Sequence, residues 1–211
     1  LTSPYAMGPL MRNPLARLIG QMEFDKVCHQ AGPELHICAT NVRSGRIRVF
    51  TGADISAQVL LASACLPTMF PAVEIEDPKT GRTEAYWDGG YAGNPALFPL
   101  YPMHLPDDIV IVSLNPQWSE TLPRDSQQIQ NRINEVSFNA SLLAELRAIA
   151  FTKRLIGQGK VAHGAMKDVL VHMISDDALM NALNVATKTL AVPVILARLK
   201  AAGREAADLF L

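Results

Sequence analysis

Arg82-Thr-Glu-Ala-Tyr-Trp-Asp-Gly-Gly-Tyr-Ala-Gly-Asn-Pro95 is the stretch whose reading decides the fold. A strand-like run, Thr83 to Trp87, ends on Asp88. Gly89 and Gly90 follow at once, then Gly93 and Asn94-Pro95. A carboxylate at the end of a buried strand, held by small residues, is a common setting for proton chemistry. Glycine lets the backbone turn tightly or approach a neighbour closely, because it has no Cβ. Asp-Gly and Gly-Gly are also ordinary turn formers, so a plain β-turn is the alternative. Tyr86 and Trp87 place apolar mass beside the carboxylate, and the chain stays apolar through Pro95, Leu97, Phe98 and Leu100.

Outward from this loop the pattern alternates strands and helices. Val73–Glu76 and Arg82–Trp87 flank a polar loop and read as a hairpin that delivers Asp88. Upstream, 35–50 reads as a second hairpin turning at Arg43-Ser44-Gly45. Its alternation predicts one apolar face, with Ile47 and Val49, and one charged face, with Arg46 and Arg48. Asp54 or Ser56 caps a buried helix, Ala57–Ser63, which Pro67 ends. Before these, 1–34 reads as an irregular start with short helical pieces around Leu15, Leu18 and Ile19, then Phe24 and Val27.

Downstream, Asp108–Leu114 is continuously apolar and β-branched, as expected of a central strand covered on both faces. A long helix starts at Ser126 and ends at Gly157-Gln158-Gly159. Ile129, Ile133, Val136, Ala140, Leu143 and Ala150 form its apolar face, which Phe138, Leu142, Leu146 and Ile149 widen. Lys167–Ile174 reads as an edge strand, and Ser175-Asp176-Asp177 caps a helix carrying Leu179, Leu183, Ala186 and Leu190. Pro193 kinks that helix or opens another to about Ala201, and Gly203 separates a last one, Arg204–Phe210. This order says α/β.

Composition narrows the function. The chain has 211 residues, 49% of them apolar, which suits one domain with a good core. Nineteen basic and 20 acidic residues give a net charge of -1, with no general pull toward nucleic acid. Cys28, Cys38 and Cys65 form no CxxC and no zinc spacing, so a reducing, cytoplasmic setting is the simpler reading. No basic-then-apolar opening reads as a signal peptide, and no apolar run approaches the ~18–20 residues of a membrane span. Arg12, Arg17, Arg43, Arg46 and Arg48 make the first quarter basic. They are either a solvated face or a peripheral contact for phosphate head groups or an anionic membrane.

Asp88-Gly89-Gly90 with Asn94-Pro95 resembles the DGG/DGA motif of the patatin-like phospholipase family, bacterial members included. The likeness extends to Ala62-Ser63-Ala64-Cys65-Leu66-Pro67 and Phe70-Pro71. It continues to Cys38-Ala39-Thr40-Asn41-Val42 and Arg46-Ile47-Arg48-Val49-Phe50. It covers nearly the whole chain and is weakest in the C-terminal quarter. DGG alone is a weak motif; the ordered set is much more specific.

The resemblance implies a three-layer α/β/α sandwich of which residues 1–211 are a single domain, incomplete at its N-terminus. It implies a serine–aspartate dyad without a catalytic histidine, in which Asp88 accepts or orients the serine proton. It implies hydrolysis of lipid acyl esters, of phospholipase A or lysophospholipase type, with no metal and no organic cofactor.

The departure from the family is large. Acyl transfer needs a nucleophile, a proton acceptor and oxyanion donors. The usual G-x-S-x-G is absent from the sequence, and no Gly-rich oxyanion loop precedes residue 40. Ser63 and Cys65 do not sit at a strand-to-helix elbow. The five histidines, His29, His36, His104, His163 and His172, are scattered through the chain without a catalytic context. The opening Leu1-Thr2-Ser3-Pro4, without methionine, suggests that an upstream segment, or a second chain, carries G-x-S-x-G. The alternative is a non-catalytic lipid- or partner-binding pseudoenzyme in which Asp88 is a turn residue. Tyr86, Trp87, Met69, Phe70 and Phe98 suggest an apolar-walled site suited to an acyl chain; the same residues also suit a plain core.

Overall fold

A computed structural model describes residues 3–6, 13–24, 32–77, 80–162, 164–183 and 192–211. They are mixed α/β and fall into two compact units, Leu1–Ala96 and Leu97–Leu211. The turn expected around Val27, the loop residues Pro78 and Lys79, and the positions of Ala186 and Leu190 lie outside the described residues.

The first unit opens with a short helix, α1 (Leu15–Ile19), of which Ile19 alone is buried. Strands β1 (His36–Asn41) and β2 (Ile47–Thr51) then form the expected hairpin. Gly45 takes φ +66°, and the Asn41 carboxamide oxygen accepts the Ser44 N–H at 2.9 Å, so the turn is built from its own residues. The register pairs Ile37 with Phe50 and Ala39 with Arg48. Directly opposed residues of an antiparallel pair share a face. The core face of β2 is therefore Phe50 with Arg48, and Ile47 and Val49 lie on the other face, the reverse of the sequence expectation. Arg48 is accommodated because its guanidinium lies over the Phe50 ring, 5.2 Å from the centroid, and meets Asp54 at 3.5 Å.

Helix α2 (Ala57–Ser63) is capped by Ser56, whose Oγ accepts the Val59 N–H at 3.4 Å. It packs Val59 and Ala62 against the sheet. Strands β3 (Val73–Asp77) and β4 (Arg82–Asp88) complete an antiparallel sheet of order β2-β1-β4-β3. Its core is Ile37, Ala39, Phe50, Ile55, Val59, Ala62 and Tyr86. Tyr86 stands edge-on to Phe50, with centroids 5.5 Å apart.

The second unit is built on two parallel strands, β5 (Asp108–Ser113) and β6 (Leu170–Ser175). Between them in sequence runs α3 (Ser126–Gly157), capped by Asp125, which accepts the Gln128 N–H at 2.7 Å. Ile109 and Ile111 pack with Leu97, Leu142, Ile149 and Val169. The opposite face of β5 is open: Val110 is 50% exposed and Val112 65%. Expecting cover on both faces was thus wrong for this strand among the described residues. A continuous apolar run does not distinguish a covered face from an open one.

Helix α3 has two apolar stripes, not one wide face. Leu142, Leu146 and Ile149 pack inward, with buried Asn139 donating to the Pro116 carbonyl at 3.0 Å. Ile129, Ile133, Val136 and Leu143, assigned inward from their spacing, are exposed. Beyond β6, Asp176 caps α4 (Asp177–Ala182) through the Leu179 N–H at 2.9 Å. The last helix, α5 (Pro193–Phe210), runs unbroken through Gly203. A helical glycine costs only about 1 kcal/mol relative to alanine, too little to end a helix by itself. No described helix is long and apolar enough to cross a membrane.

Candidate active site

Strand β4 ends on Asp88, opposite Ala39 of β1. Three hydrogen bonds fix its position, two through its backbone and one through its carboxylate. The Asp88 N–H donates to the Cys65 carbonyl at 2.9 Å, just past the end of α2. The Thr40 hydroxyl donates to the Asp88 carbonyl at 2.8 Å. The carboxylate Oδ1 accepts the Gly90 N–H at 2.8 Å and so caps the 3-10 turn Gly89–Tyr91. Ala39-Thr40, the 62–67 segment and Asp88-Gly89-Gly90, remote in sequence, meet here.

Two glycines of the loop run close to their neighbours, and of the two it is Gly89 whose obstacle is backbone. A Cβ on Gly89 would lie 2.3 Å from the Cys38 carbonyl oxygen. A Cβ on Gly93 would lie 2.3 Å from Ile47 Cδ1. The loop is thus pressed onto the β1–β2 hairpin, and it closes through a cis Asn94–Pro95 peptide.

Asp88 is half-buried. Burial raises its carboxyl above the ordinary value, and the Gly90 N–H only partly opposes this by stabilising the charged form. Its field reaches two neighbours. The buried Cys65 thiol is pushed up to about 11, first by burial and then by Asp88. The Tyr91 phenol is raised by burial, then by Asp88 and Cys65. Tyr91 was not singled out from the sequence. The signal was present, because residues three apart on a 3-10 turn lie above one another.

The other residues singled out from the sequence divide between the two units. Tyr86 belongs to the core and Trp87 pairs with Thr40 on the other face, so these two do not form a common wall for Asp88. Cys65 directs its thiol to the Pro71 carbonyl at 3.2 Å, in the turn that holds Met69 and Phe70. Phe98 lies in the second unit. His36 is 3.6 Å from Glu34, and His172 Nε2 is 2.7 Å from Asp108 Oδ1. The register sets Ser113 and Ser175 at the far end of those strands. Ser113 is thus roughly 16 Å along β5 from Asp108, too far for a serine triad with that pair. His29 and His163 lie outside the described residues. Among the described residues no group of three or more His, Cys, Asp or Glu side chains gathers as a metal site would require.

Chemically, the loop presents one carboxylate with one oxygen fixed, poised to hold or accept a proton, and the described residues about it offer no activated nucleophile. No protein-family model matches the chain, and no curated protein is significantly similar to it.

Proposed function

We propose that the protein takes part in serine-dependent hydrolysis of lipid acyl esters, of the phospholipase A or lysophospholipase type, with Asp88 as the proton acceptor of a Ser-Asp dyad. The observation that carries this reading is the Asp88 loop: a half-buried carboxyl with a raised pKa, held at a strand end by Thr40, Cys65 and Gly90. A raised carboxyl is a stronger base than a solvated one, which brings it closer to the pH at which a hydroxyl must be activated. With Oδ1 held by Gly90, the second oxygen is the one offered to an incoming serine hydroxyl. The serine, on G-x-S-x-G, comes from a segment outside this sequence, either upstream in the parent polypeptide or on a second chain. The serine attacks the ester carbonyl as its proton passes to Asp88. The proton then leaves with the alcohol, and water completes the cycle through the same carboxylate.

In this reading the two units are parts of a three-layer α/β/α sandwich of patatin-like type. The protein works in the cytoplasm, with peripheral contact at a membrane surface, and needs no organic cofactor. The exposed face of Val110 and Val112 is compatible with further covering structure in that arrangement.

A second reading rests on one observation. Oδ1 of Asp88 already caps the Gly89–Tyr91 turn, which is sufficient reason for a structural aspartate in a lipid- or partner-binding protein without catalysis. Asp88→Asn separates the two, because a carboxamide oxygen can still accept the Gly90 N–H. A folded variant with ester hydrolysis lost from the parent protein supports the dyad. Full hydrolysis in that variant leaves Asp88 structural.

A further inference from the structure

We propose that the second unit carries a binding site for a neutral alkyl chain of roughly ten carbons, independent of Asp88. The site is a cavity of about 280 Å³ beside α3. Its walls include Met103, Ala148, Ile149, Ala165, Met166 and Val169.

The polar groups around the cavity decide the chemistry of its occupant. Lys167 borders it and is 7% exposed. Its ammonium donates to the carbonyls of Leu100 and Pro102, both at 3.1 Å, and of Leu105 at 2.8 Å. An ammonium has three hydrogens, so these bonds saturate it. The Tyr101 hydroxyl is committed to Glu145 at 2.7 Å. Lys153 is held on Asp168 at 2.7 Å and on the Val169 carbonyl at 3.2 Å. Thr152 supplies the remaining side-chain hydroxyl of the lining. The cavity therefore has apolar walls and no uncommitted charge, which matches a ligand without charge.

Size and adaptability set the rest. An apolar cavity of ~150 Å³ accepts benzene, with six carbons. The present pocket is open to solvent along Met103, Ala148, Ala165 and Met166, so by that scale it takes at most about ten to twelve carbons. Met103 and Met166 are 58% and 48% exposed, so both reach the protein surface at this cavity. Their unbranched thioether chains can adapt to a flexible chain.

The test is a titration of the full chain, carrying 13C-methyl methionine, with hexanol, octanol, decanol and dodecanol. Saturable shifts are expected at Met103 and Met166, assigned by Met→Leu variants. Affinity should rise about fourfold per methylene, the value for burying each carbon, and level off by dodecanol. Decanoate should bind no tighter than decanol, because Lys167 has no hydrogen left to offer. Ala148→Leu, which fills the cavity, should abolish the shifts; if that variant fails to fold, the chain-length series on the native chain decides. Absent or non-saturable shifts, shifts shared equally by the other methionines, affinity independent of chain length, or a decanoate preference would each overturn the proposal.

Discussion

Gly89 runs so close to Cys38 that a Cβ would sit 2.3 Å from the Cys38 carbonyl oxygen and 2.8 Å from its carbonyl carbon. The obstacle is backbone in the central strand pair, which cannot swing aside as a flexible side chain can. Gly89→Ala should therefore push the loop off β1 and break the Asp88–Gly90 bond. Overpacking of this kind costs about 1–3 kcal/mol. Urea unfolding should show a lower midpoint with an unchanged slope. A variant as stable as the native chain would mean that the loop has room to spare.

Cys65 should be nearly inert. Its thiol is buried and pushed up to about 11. At pH ~8 about one molecule in a thousand would carry the thiolate, the reactive form. Cys38 is half-exposed and should be alkylated by iodoacetamide well before it. Peptide mapping of a labelling time course measures the order. Rapid labelling of Cys65 in the folded protein would contradict its placement and reopen it as a nucleophile.

Lys167 should hold the 100–105 segment in place. Lys167→Met keeps most of the apolar stem but leaves three carbonyls without their donor. Hydrogen bonds to charged groups contribute about 1.5–3 kcal/mol each, less whatever water restores. A loss of several degrees in melting temperature is expected, along with faster amide exchange in that segment. No change in either would mean that the bonds are replaced without cost.

What the sequence made legible followed from local rules. The hairpins at 36–51 and 73–88, the Ser56 and Asp176 caps and the span of α3 were readable because alternation, capping side chains and turn glycines act over a few residues. The faces were less so. Arg48 lies on the core face because strand register, not residue type, assigns it, and an aromatic ring with a nearby carboxylate makes the position tolerable. Helix α3 carries two apolar stripes of similar strength, and only the partner strands decide which one packs. In the candidate site, Asp88 and Gly89 were readable from the motif. Tyr91 was readable from its three-residue spacing to Asp88, whereas the Cys65 carbonyl was not, because it joins the site through a long-range hydrogen bond.

Asp88 should leave a signature in stability against pH. Burial raises its carboxyl above the ordinary value of 3.8. The folded state therefore keeps that proton to higher pH than the unfolded chain does. Between the two values the folded state binds more protons, so this stabilising contribution is present at low pH and is lost as pH rises through the raised value. Asp88→Asn cannot titrate and should remove that part of the slope. Urea midpoints of both proteins, taken from about pH 3.5 to 7, measure it. Identical profiles would mean that the carboxyl is not raised.

The central claim is that Asp88 serves a serine carried outside this sequence. The most direct measurement is the intact mass of the parent protein, native and Asp88→Asn, during reaction with a fluorophosphonate. The native protein should gain one adduct, mapped to the serine of a G-x-S-x-G outside residues 1–211. Loss of the general base should slow that labelling by about 100-fold or more, the usual scale of such catalysis. No adduct, or labelling at an equal rate in the variant, would contradict the claim and leave Asp88 as the cap of its own turn.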